Sequence, residues 1–151
     1  MRMSNLAAAL LRPQIGQLAD RGRRWNHIYA TLERELTKAE HVSIPARDAR
    51  EEFIASSIQF TLNLKPHQIE QFLKQCGLRG LYIKWFGTPS PVAFTSNYEH
   101  WHYLACKPEI PNSKAVLDQL LDLRTPLSLS DEDGMLIGKI VLVSTQIAAA
   151  T

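Results

Sequence analysis

The residues best suited to chemistry crowd one stretch. Between Gly87 and Pro111 the chain carries Phe94, Thr95, Ser96, Asn97, Tyr98, His100, Trp101, His102 and Tyr103. Aromatic bulk mixed with convergent hydrogen-bonding groups is the composition of a binding loop. His100-x-His102 followed by Cys106 can ligate zinc if the backbone is extended, because alternate side chains then share a face. Only these three candidate ligands cluster, and His27, His41 and His67 stand far off in sequence, so ordinary loop histidines are the simpler reading and no metal is expected. A second reading makes loop 94–103 an independent module in which Trp101 and Tyr103 stack on a protein or nucleic-acid partner. There is no Gly-rich phosphate loop, no G-x-S-x-G elbow and no useful pair of carboxylates. Asp131, Glu132 and Asp133 match the positive end of a helix instead.

The elements that must hold this loop fit one domain. A chain of 151 residues, 45% hydrophobic and 21% charged, suits a single compact unit over residues 1–151. A net charge of +2 lacks the concentrated positive field of a nucleic-acid binder. Cys76 and Cys106 have no C-x-x-C spacing, so both are expected as small buried hydrophobes in a reducing compartment. The apolar run Leu6 to Leu11 is interrupted by Pro13, Gln14, Gln17 and Asp20 before it could cross a bilayer. No secretory signal is visible, and a cytoplasmic location is expected.

Residues 1–37 read as a long helix that Pro13 kinks or divides, capped by Ser4 or Asn5, with Leu18, Gly22, Trp25, Tyr29, Leu32 and Leu36 as its apolar stripe. Arg21, Arg23 and Arg24 fall on a solvated face. Residues 38–151 read as an α/β unit. Val42 to Ile44 is a short strand before a loop. Ser57 to Leu64 alternates Ile58, Phe60, Leu62 and Leu64 with Gln59, Thr61 and Asn63, the period of a half-buried strand. Pro66 opens a helix with Ile69, Phe72, Leu73 and Cys76 inward and Gly77 as its stop. Leu81 to Phe86 is a further strand, and about Ser113 to Leu121 a further helix. Ser130 caps a last helix in which Met135, Leu136, Ile140 and Val143 face inward. The interleaving predicts an α/β two-layer sandwich on a small, mostly antiparallel sheet, with a long helix at the amino end and another at the carboxy end.

Two segments carry a resemblance. Arg2-Met-Ser-Asn-Leu-Ala-Ala-Ala-Leu-Leu-Arg-Pro-Gln-Ile resembles the helix that follows the cofactor lysine in the DegT/DnrJ/EryC1/StrS sugar and antibiotic aminotransferases, and Leu121-Asp-Leu-Arg-Thr-Pro-Leu-Ser-Leu-Ser is similar to the strand and N-cap that open that family's last helix, both in the right order within the family's final third. Lys84-Trp-Phe-Gly and Phe94-Thr-Ser-Asn-Tyr-Glu-His-Trp resemble a subgroup whose loop approaches the substrate side of the cleft. The resemblance implies the small domain of a fold-type I pyridoxal-phosphate enzyme. It implies that the lysine bound covalently to pyridoxal phosphate, the acid at the pyridine nitrogen and the hydroxyl groups at the phosphate lie in an upstream large domain, which becomes the expected partner. A homo-oligomer is also expected.

By the same resemblance the chain begins inside the first motif, with Met1 where the family usually has an aromatic residue, as a split or truncated gene would. The chain is then expected to hold no catalytic residue, to bind no cofactor covalently and to be inactive alone. Lys84 and Lys114 are the lysines worth testing, although an ordinary surface role suits both. Arg2 falls near the residue that reaches across a dimer toward cofactor or donor carboxylate; a frayed terminal arginine is the alternative. Thr95, Ser96, Asn97, His100 and Trp101 are the candidates for the cleft lining, and half of them could instead satisfy the loop's own backbone.

Overall fold

A computed structural model describes residues 4–48, 50–51, 54–90, 101–102 and 106–151. Its elements run α1 (Asn5–Ile15), α2 (Leu18–Leu36), β1 (Val42–Ser43), β2 (Ser57–Leu62), α3 (Pro66–Leu78), β3 (Lys84–Trp85), α4 (Pro111–Leu117), β4 (Leu120–Arg124) and α5 (Asp131–Ala149). The strands form one sheet in the order β1-β2-β4-β3, and every neighbouring pair is antiparallel. This is the α/β small-domain architecture that the sequence predicts.

The alternation in β2 decides which side of the sheet is covered. Ile58, Phe60 and Leu62 are fully buried, and across the ladder Ile58 pairs with Leu123 and Phe60 with Leu121. These side chains share a core with Ile28, Leu32 and Leu36 of α2, Ile69, Phe72 and Cys76 of α3, and Ile137 and Val141 of α5. Their burial is the main stabilising term of the body. Burial also pushes the Cys76 thiol up to about 11, so it remains protonated and inert. The other expected buried thiol, Cys106, is exposed.

Helix α5 meets α2 through glycines. A Cβ on Gly134 would lie 2.8 Å from Thr31 Cγ2, and one on Gly138 2.6 Å from Glu35 Cβ. The two helices approach closely only because both positions lack a side chain. This seam turns α5 away from the expected orientation. Gly134, Ile137, Gly138, Val141, Ser144, Thr145 and Ala148 are buried, while Met135, Leu136 and Val143 are exposed. Counting large apolar residues picked the wrong face because two of the closest contacts belong to glycine. At the start of α5 the Ser130 side chain accepts from Asp133 N at 3.1 Å, and Ser130 N donates to Asp133 Oδ2 at 2.9 Å, the expected cap as a reciprocal box.

Other boundaries shift: β2 ends at Leu62 rather than Leu64, and β3 covers only Lys84–Trp85 of the strand expected over Leu81 to Phe86. The amino-terminal helix divides at Gly16 and Gln17, with Pro13 left inside α1. Helix α3 runs through Gly77 to Leu78, and Gly80, at φ 79, takes the left-handed position that stops it. The helix expected over residues 113–121 ends at Leu117, after which the chain becomes the central strand β4. The run LLDLR has no clean alternation, so its sheet partners on both sides define it rather than its own pattern. Arg24 also leaves the solvated face expected for it and donates to the Leu129 carbonyl.

Candidate functional site

The face of β2 that turns from the helices carries Ser57, Gln59 and Thr61. In register with them stand Arg124 opposite Ser57 and Asp122 opposite Gln59, with Lys84 opposite Asp122 on the far side. Asp122 is buried, and its Oδ2 lies 3.8 Å from Arg124 Nε. Among the described residues the sheet thus has one apolar face under helices and one face carrying Ser57, Gln59, Thr61 and Asp122, the usual division for an antiparallel sheet.

Where β2 begins, the polar face runs into a cavity of about 320 Å³ lined by Tyr29, Pro45, Arg47, Ile54, Ala55, Ser56, Ser57 and Gln59. Tyr29 arrives on the buried stripe of α2, Arg47 on the loop after β1, and Ser57 and Gln59 on alternate positions of β2. The Arg47 guanidinium carbon sits 4.1 Å from the centre of the Tyr29 ring, and Nη2 lies 3.4 Å from Glu33 Oε1. A guanidinium held over an aromatic ring and beside a carboxylate is restrained in position and can meet a polar partner. Burial raises the Tyr29 hydroxyl, with Arg47 opposing it, and the net shift is upward, so the phenol is a hydrogen-bond donor at neutral pH rather than a base. The set can therefore bind and orient a polar ligand. It offers no nucleophile paired with a base.

Sequence reasoning missed this cavity. Tyr29 appeared only as core and Arg47 only as part of a polar loop, and the fold alone brings positions 18 residues apart together. The legible signal was the polar pair Ser57-x-Gln59 on an otherwise well-read strand.

Of the predicted site residues, Arg2, Thr95, Ser96, Asn97 and His100 lie outside the described residues. Trp101 is half-buried and His102 and Cys106 are exposed. Among the described residues no three His, Cys, Asp or Glu side chains gather as a metal site. Lys84 Nζ lies 4.5 Å from the Phe86 ring centre on an edge strand, Lys114 Nζ lies 3.4 Å from Asp118 Oδ1 on α4, and neither lines the cavity.

Solved structures share this fold. The aminotransferase TlmJ from Streptoalloteichus hindustanus superposes with a TM-score of 0.73 at 17% identity, over 93% of this chain and 36% of its own. For 3-amino-5-hydroxybenzoic acid synthase the values are 0.74, 17%, 97% and 40%. For S. venezuelae DesV they are 0.72, 16%, 96% and 37%. At such identities the likeness is one of fold, and the chain spans between 36% and 40% of the length of these three proteins. No curated protein sequence matches the chain. Among the described residues no helix is long and apolar enough to cross a membrane. The model of the DegT/DnrJ/EryC1/StrS aminotransferase family matches residues 1–141, and the chain belongs to that family.

Proposed function

We propose that the chain, one domain over residues 1–151, serves in the cytoplasm as the small domain of a pyridoxal-phosphate aminotransferase and is inactive without a lysine-bearing large domain. The observation that carries the reading is a family match over residues 1–141 by a chain whose fold covers 36% of TlmJ. Bound in the large domain, pyridoxal phosphate supplies the electron sink for moving an amino group from an amino acid to a keto-sugar or related carbonyl. The part of this chain is to close over the cleft, exclude water and orient the amino donor. Arg2, Thr95, Ser96, Asn97, His100 and Trp101 remain the candidates for that contact, Arg2 by pairing its guanidinium fork with the donor carboxylate.

The test is the half-reaction. The purified chain, given pyridoxal phosphate and an amino-acid donor such as L-glutamate, is expected to form pyridoxamine phosphate no faster than the protein-free solution. Mixed with a large domain encoded beside it, the chain is expected to restore turnover. Turnover by the chain alone would overturn the reading.

A further inference from the structure

The cavity beside the start of β2 has no part in the proposed function, and the ladder explains why it exists. Strand β1 pairs Val42 with Leu62 and Ser43 with Thr61, and it ends at Ser43. On this edge of β2 the odd-numbered residues are the hydrogen-bonding ones, since Asn63 N donates to the His41 carbonyl. Continued onward, the same register sets Pro45 opposite Gln59 and Arg47 opposite Ser57. Proline has no N–H to give at a bonding position, so the ladder stops there. Among the described residues no bond runs from the Gln59 N–H to the Pro45 carbonyl either. The four residues that would have paired instead line the gap of about 320 Å³.

The lining selects the ligand. Among the described residues that line the gap, Arg47 carries the one charge and none is acidic. Ser56, Ser57 and Gln59 add hydroxyl and amide donors, while Pro45, Ile54 and Ala55 add apolar wall. Arg47 is steadied by the Tyr29 ring, 4.1 Å from its guanidinium carbon, and by Glu33, 3.4 Å from Nη2. A guanidinium has several N–H donors in a fixed fork, so it can serve Glu33 and a second acceptor together. The Glu33 side chain lies outside the lining and is 42% exposed, so water screens its hold on the cation.

We propose that this gap is a binding site for a small carboxylate with a short apolar body. The carboxylate pairs with Arg47 and accepts from the open ladder edge at Gln59, supplying the acceptor that Pro45 leaves missing, and the body rests on Pro45 and Ile54. Lined from α2, from the loop after β1 and from β2, the gap takes a molecule of side-chain size rather than a further strand. Its volume stands at the lower end of ligand pockets, which keeps the ligand small and its binding weak. The inference stands on the cavity alone and does not depend on the aminotransferase reading.

An amide NMR titration of the full chain with isovalerate, and with isovaleramide as its uncharged counterpart, provides the test. Isovalerate is expected to give saturable shifts centred on Ser57 and Gln59 at millimolar concentration. Isovaleramide is expected to bind at least about 10-fold more weakly, the loss of one charge-assisted hydrogen bond. Arg47→Met is expected to weaken isovalerate by a similar factor while near-ultraviolet dichroism stays unchanged. Ile54, 63% exposed at the gap, provides a second variant that leaves the body intact. Ile54→Glu sets a like charge beside the carboxylate and is expected to weaken it at least about 10-fold as well. Absence of saturable shifts at Ser57 and Gln59, equal binding of isovaleramide, or binding that Ile54→Glu leaves unchanged overturns the proposal.

Discussion

Helices α2 and α5 bury Leu32 and Val141 completely and meet through bare backbone at Gly134 and Gly138, whereas α1, just as apolar in sequence, buries nothing. The contrast teaches that an apolar stripe identifies a surface to be covered without saying what covers it. In α5 the cover is the same chain. In α1 none of the described residues supplies it.

The sharpest way to break this comparison is to truncate one large side chain in each region. Phe60→Ala, at a site with no solvent exposure, is expected to destabilise the body by about 3–5 kcal/mol. Leu10→Ala, measured by denaturant, is expected to cost about 0.5 kcal/mol or less. Equal losses would mean that α1 is part of the body after all. Gly138→Val tests the glycine seam next. Its branched side chain must enter space already held by Glu35, and a loss of about 2 kcal/mol is expected by thermal unfolding. A neutral result would show that α2 and α5 slide apart freely.

Ser130→Ala removes the hydroxyl that caps α5 and is expected to cost about 1 kcal/mol. The acid limb of stability carries the smallest effect. Backbone and side-chain hydrogen bonds from Ser130 hold the Asp133 carboxyl below its usual range. A group depressed in the folded state stabilises above its unfolded value near 3.8 and loses that contribution as pH falls through the folded value. Asp133→Asn is therefore expected to flatten the fall in melting temperature below pH 4, with little change in slope at pH 7. Asp48, held down to about 2 by Arg50, works with the same sign and loses its contribution between about pH 4 and pH 2. An unchanged acid limb in Asp133→Asn would remove the cap from the account.

Much of the body was legible because local pattern and tertiary role agreed there. β2 announced itself by alternation, α3 by Pro66 and the spacing of Ile69, Phe72 and Cys76, and α5 by its cap. What failed was set by contacts remote in sequence. The pattern of LLDLR did not mark it as a strand, which only the resemblance implied and which β2 and β3 fix by flanking it, and the inward face of α5 follows Thr31 and Glu35 on α2. The cavity at Tyr29 and Arg47 likewise needed the loop after β1 to fold back onto α2. Leu18, placed on the buried stripe of α2, is 57% exposed because it sits beside the break at Gly16 and Gln17, where the chain turns from the body into α1.

Covalent cofactor capture tests the central claim most directly. The chain is incubated with pyridoxal phosphate, reduced with sodium borohydride, digested and mapped by mass spectrometry. The account predicts no stoichiometrically modified peptide, only trace labelling spread over surface lysines. A single lysine labelled in proportion to the protein, with the absorbance of a bound cofactor before reduction, would contradict it.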